Sequence, residues 1–289
     1  MANAGWRLFL CGYQRGNRYF VGISVLCLVQ LVIDGFWLVA IVSPHVQFSL
    51  KTTSVSLTQA VSHFKIAGRE DMVFNLQKAG GIAALFEAVA YIVGFGVMAT
   101  LLNPGNTEGW TAAQKLVFVL DNKALFQTWT LFIYVAFGIA LVVLAVVLHD
   151  RLKLQASDVM KIATPFGFIW AGLVIASGMV ASVGLEAVAA LHQQDIAQST
   201  SSWTSIVAIQ NGLGGGVEVV GGIWVLLIST ASFRAIGFPR ALGYLGIFVG
   251  VAGILTVVPV LKDLAIVFGI SQILWFAWIG IVLLGRVES

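Results

Sequence analysis

Residues 264–284 read LAIVFGISQILWFAWIGIVLL. The stretch holds no Asp, Glu, Lys or Arg, and its polar side chains are confined to Ser271 and Gln272. A helix of about 20 such residues crosses ~30 Å of hydrocarbon, so the run is expected to span a membrane. Lys262-Asp263 lies just before it, and Ala241 to Leu261 forms a second apolar run on the other side of that charged pair. The two are expected to form a hairpin of spans. Toward the N-terminus, comparable runs cover Phe20 to Val42, Ala79 to Leu102, Leu125 to Leu148, Ile162 to Leu191 and Ile206 to Thr230. The pattern predicts an all-α fold, a polytopic transmembrane helix bundle of seven spans. A membrane β-barrel would instead show short alternating segments.

Composition agrees. Of 289 residues, 59% are hydrophobic and only 10% charged, where a soluble domain carries about a quarter. An ordinary soluble enzyme and a disordered chain are both excluded, because the charges cannot cover a globule of this size. Lys and Arg number 16 against 13 acids, a net charge of +3. They form no cluster, so nucleic acid is not an expected partner; the lipid bilayer is. Cys11 and Cys27 make no CxxC pair, and neither redox nor zinc chemistry is suggested.

Two connecting segments have character of their own. Residues 43–78 are polar, but Leu57, Ala60, Val61 and Phe64 recur at helical spacing, which predicts an amphipathic helix on the membrane surface. The chain therefore divides into residues 1–78, a first span plus surface segment, and residues 79–289, a six-span domain. Trp110 to Asn122 contains too short an apolar run to span and reads as interfacial. Trp110, Trp129 and Trp203 near span ends fit interfacial anchoring.

Orientation follows from Lys and Arg. On the side of the N-terminus (side A) lie Arg7, Arg15, Arg18, Lys115, Lys123 and Lys262. The opposite side B holds Lys51, Lys65, Arg69, Lys78, Arg151, Lys153, Lys161, Arg234, Arg240 and Arg286. The bias makes side B, with the C-terminus, cytoplasmic and puts the N-terminus outside a cytoplasmic (inner) membrane; the arginines before the first span oppose it.

Several stretches carry a resemblance. They are Gly81-Ile82-Ala83-Ala84-Leu85-Phe86-Glu87-Ala88, Gln210-Asn211-Gly212-Leu213-Gly214-Gly215-Gly216, Phe238-Pro239-Arg240-Ala241-Leu242-Gly243-Tyr244-Leu245-Gly246, and Val267-Phe268-Gly269-Ile270-Ser271-Gln272 with Trp275-Phe276. From about residue 81 to the end the chain resembles a bacterial family of six-span membrane proteins of unknown function. The resemblance implies six helices with both ends cytoplasmic and makes residues 1–78 an N-terminal addition. It implies no activity, substrate or catalytic residue.

Four carboxylates fall inside predicted spans: Asp34, Glu87, Glu186 and Glu218. No Lys or Arg falls at comparable depth. An intramembrane acid is a functional candidate by default; the alternative is a protonated group hydrogen-bonded to a neighbouring helix. At ~1.5 Å per residue, Asp34 and Glu87 lie about 12 Å from side B and Glu218 about 18 Å. The three are expected in one layer, as candidates for ion or proton handling. Glu186, about 7–8 Å from side A, defines a second polar level with Gln210 and Asn211, to which His192 and Gln272 are added. Glu87 and Glu218 share helical stripes with small residues and are expected to face the bundle, free to share a proton or to bond Asn211, Gln272 or Tyr91.

Gly212, Gly214, Gly215, Gly216, Gly221 and Gly222 read as a helix-packing string, since Val217 stands where a dinucleotide fingerprint needs its last glycine. The histidines His45, His63, His149 and His192 lack the spacing of helix-borne metal ligands; His149 is expected in solvent. No cofactor or metal is predicted, and no catalytic set is recognisable. Three functions are weighed; a membrane enzyme or sensor has only scattered histidines behind it, and two remain. One is an accessory or structural component of a membrane complex, with other membrane subunits as partners. The other is a proton- or cation-coupled small-solute carrier using the carboxylates. Helices expected to be unbroken and the absence of an internal repeat weigh against the carrier, and the accessory component ranks first.

Overall fold

The computed structural model describes the backbone of residues 57–285, with side chains from Leu76 onward. The predicted first span, Asp34, both cysteines and His45 lie outside the described residues.

All described elements are helical. In chain order they are α1 (Leu57–Thr100), α2 (Ala112–Asp121), α3 (Lys123–Leu152), α4 (Ser157–His192), α5 (Ile196–Gln210), α6 (Val219–Ser232), α7 (Arg240–Leu255) and α8 (Leu264–Leu284). Among the described residues, five stretches are long and apolar enough to cross a membrane: Leu76–Thr100, Lys123–Leu152, Ser157–His192, Ile196–Ser232 and Leu264–Leu284. The sixth predicted run falls short. Its helix, α7, has 16 residues and stops at Leu255, because Pro259 lacks an N–H and biases the residue before it away from helix. Val258 is extended, and Pro259–Leu261 forms a 3-10 turn.

One further expectation changes. The amphipathic segment around Leu57 is not separate from the second span; α1 runs through Ala79 without a break, since no proline interrupts residues 57–79. Residues 110–122 are indeed too short to span, and they form α2. Thr111 and Gln114 close a capping box at its start, which satisfies free N–H groups of the first turn.

Glycines set how closely the helices approach. A Cβ added at Gly222 would lie 2.6 Å from the Gly250 carbonyl oxygen, and one at Gly250 would lie 2.8 Å from that of Gly222. The backbones of α6 and α7 therefore touch, as small residues allow. Gly81 and Gly280 do the same for α1 and α8, where added Cβ atoms would lie 3.1 and 3.0 Å from the opposing carbonyl oxygens. Between α4 and α6 the fit is reciprocal. Gly167 makes room for the Trp224 indole, and Gly221 for that of Trp170. These indoles join Phe137, Phe268, Trp275 and Phe276 in a buried aromatic core.

Candidate functional site

The run Ile206 to Thr230 is not one helix. After α5 the backbone enters a wide π-turn at Asn211–Gly215, and Gly214 takes φ +125°, a conformation that favours glycine. Regular helix resumes only at Val219, with Glu218 at the N-cap. Each glycine in a helix interior costs roughly 1 kcal/mol against alanine. The sequence therefore weakens the helix where it breaks. Gly212 meets nothing within 4 Å, and a Cβ on Gly216 would meet only the Asn211 side chain, from 3.7 Å. The expected packing string thus divides. Gly212 and Gly214–Gly216 form the break, whereas Gly221 and Gly222 pack helices.

The break is held on both sides. The Ser177 hydroxyl donates to the Gln210 carbonyl at 3.1 Å. The Val217 N–H donates to the Asn211 carbonyl at 3.2 Å, and the Glu218 N–H to the Thr256 hydroxyl at 2.8 Å. Irregular backbone at membrane depth needs such partners or a water-lined cavity beside it.

A cavity of about 270 Å³ is present beside it. Its wall includes Gly214–Gly216, Glu218, Ala90, Gly94, Val174, Ala265 and Gly269, together with the aromatic side chains of Tyr91, Phe95, Trp129, Tyr134, Phe137, Trp170 and Phe268. A second irregularity borders it. α3 widens into a π-turn at Leu131–Ala136, which carries Ile133 and Tyr134 of the wall; π-turns inside α-helices are frequent at functional sites. Trp129 is fixed by its indole N–H, which donates to the Gly94 carbonyl at 3.1 Å. It lines the cavity, a role beyond the interfacial anchor expected.

Glu218 is part-buried and is the one ionised-type side chain on this wall. It shares this wall with Tyr91 and Tyr134. Glu87 occupies a different place. It is fully buried, does not line the cavity, and neither carboxyl oxygen has a hydrogen-bond partner. Gln272 on α8 is equally buried and unpartnered. Since Gly81 packs on Gly280 and Gly269 on Phe95 and Tyr91, Glu87 and Gln272 stand at similar levels of α1 and α8, but Gln272, one of the alternative partners named for the glutamates, makes no hydrogen bond to Glu87. Tyr91 stands one turn beyond Glu87 on α1 and lines the cavity.

The second polar level does not assemble. Glu186 is exposed and pairs with Lys123 at 2.6 Å, while the Gln127 amide donates to it at 2.9 Å. This corrects the expectation that no base could reach an intramembrane acid: α4 overshoots the hydrocarbon, and Lys123 opens α3 on the same side. His192 bonds Ser199 at 3.0 Å, and Asn211 is exposed. His149, expected in solvent, is part-buried and bonds Thr164 at 2.7 Å. Among the described residues no three His, Cys, Asp or Glu side chains gather to hold a metal.

Apart from Tyr91, the aromatic wall was not foreseen from sequence, because aromatic residues in apolar helices read as core or as interfacial anchors. The triple glycine Gly214–Gly216 was the available signal.

Several apolar helices of membrane-crossing length define a multi-pass α-helical membrane protein. Residues 79–285 match the family described as Domain of unknown function (DUF4386), and the chain belongs to that family. Neither a curated protein nor a solved structure matches it.

Proposed function

We propose that the protein is a small-solute carrier whose binding site is the cavity at the broken α5–α6 span. One observation carries this reading: the helix is interrupted between Gln210 and Val219, at the cavity wall. Discontinuous helices of this kind form substrate and ion sites near the midplane of many transporters. The expectation of unbroken helices had weighed against a carrier, and the break reverses that order over an accessory subunit. Glu218 is the candidate coupling acid for protons or cations, with Glu87 a second one outside the cavity. The 153–156 turn between α3 and α4 is taken as cytoplasmic.

Accessibility tests the reading. With Cys11 and Cys27 replaced, Gly216→Cys introduces a thiol where space exists. A carrier exposes its site alternately, so a membrane-impermeant thiol reagent should label this cysteine both in intact cells and in inverted vesicles. Labelling from one side only, or from neither, returns the accessory reading. Lys153→Cys should react only in inverted vesicles; reaction in intact cells would reverse the orientation.

A further inference from the structure

We infer that the cavity takes a small organic monocation, an ammonium group carrying apolar substituents. The inference rests on the carrier reading and adds the ligand class.

Charge gives the sign. Glu218 is acidic, and no Lys, Arg or His lines the cavity. No hydrogen bond to the Glu218 side chain caps α6, so the carboxyl group is free of that competing partner. An anionic solute would meet a like charge and no base.

The rest of the wall decides between inorganic and organic cations. A hard metal ion wants about six or more oxygen ligands. Here one carboxylate is present, the Gln210 carbonyl already accepts from Ser177, and that of Asn211 accepts from Val217. The wall is aromatic instead. Tyr91 and Phe137 meet edge-to-face at 5.4 Å and 87°, and Phe137 and Trp170 at 6.1 Å and 73°. Trp129 and Tyr134 meet the same way at 6.1 Å and 87°. Successive rings at right angles present faces in several directions, as a cage around a cation requires. Alkylated ammonium ions are bound by such cages, and burial from water strengthens the attraction. A cavity of about 270 Å³ limits the ligand to a small one.

The test uses the full chain purified in a maltoside detergent, with Trp129 and Trp170 in the cavity as fluorescent reporters. Three probes of similar shape differ in charge: choline, neutral 3,3-dimethylbutan-1-ol and anionic 3,3-dimethylbutanoate. Choline should bind about tenfold tighter than the neutral alcohol, and the anion weakest. Glu218→Gln should abolish that preference, while Glu186→Gln, at a residue that does not line the cavity, should retain it. Should Glu218→Gln not fold, Trp129→Leu serves instead and should weaken choline about fivefold more than the alcohol. Equal binding of the alcohol, tighter binding of the anion, or an undiminished preference in Glu218→Gln would overturn the ligand class while leaving a solute site. Binding of none of the three also overturns the class, and two-sided labelling of Gly216→Cys then judges the carrier reading separately.

Discussion

Gly214–Gly216 and Gly221–Gly222 stand in one apolar run and have opposite effects on it. In the first group the missing side chains let the backbone leave the helix, at Gly214 with a positive φ, and open a wall of the cavity. In the second the helix is regular, and the missing side chains let α6 lie against α7 and against Trp170. A glycine's role in a membrane helix thus depends on what faces it. Opposite Gly222 is a backbone, and opposite Gly212 there is nothing within 4 Å.

That contrast can be broken most sharply at Gly222. Even alanine there would bring its Cβ within 2.6 Å of the Gly250 carbonyl, and neither backbone can move without parting the helices. Gly222→Leu should destabilise the bundle by about 3 kcal/mol or more, seen as a large fall in Tm in detergent. Gly214→Ala comes next. It forces a β-carbon into a positive-φ conformation at a cost of about 1–3 kcal/mol, so choline binding should weaken along with Tm. A Cβ at Gly215 would meet Gln210, its carbonyl oxygen at 3.0 Å and its side chain at 3.3 Å; Gly215→Leu should cost about 1 kcal/mol while obstructing the cavity, and an equal loss at Gly215 and Gly222 would erase the distinction. Gly212→Ala should stay within about 0.5 kcal/mol of the parent. The two acids extend the comparison. Glu87→Gln should leave choline binding within about twofold, whereas Glu218→Gln lowers it about tenfold. Loss of proton- or ion-dependent uptake in a folded Glu87→Gln protein would move the coupling site to Glu87.

Much of the fold was legible because hydrophobic run length is a strong signal: α8 matches the predicted Leu264 to Leu284. Hydropathy does not register whether backbone hydrogen bonds continue. Glycine, leucine and valine keep the run apolar through 212–217, so the break was invisible to the criterion that found the span. The α7 boundary was missed likewise, although Pro259 marked it. For the site, Glu218 stood out as an acid in an apolar run, but depth along separate helices could not distinguish a cavity wall from the closed α1–α8 interface where Glu87 lies. The Lys123–Glu186 pair was missed because α4, with 36 residues, is longer than the membrane requires.

The Thr256 hydroxyl has a consequence for how the protein opens. It donates to the Gly253 carbonyl at 2.7 Å, accepts the Glu218 N–H at 2.8 Å, and is itself buried. One side chain therefore joins two irregular stretches, the turn after α7 and the start of α6. Segments with few regular backbone bonds open at lower free energy than the helices around them. Opening either stretch removes this bond from the other, so the two belong to one cooperative unit. In hydrogen–deuterium exchange the amides of 216–219 and 256–261 should lose protection together, ahead of the helices that flank them. Thr256→Val, which keeps the shape and deletes the bond, should let the two stretches exchange at separate rates.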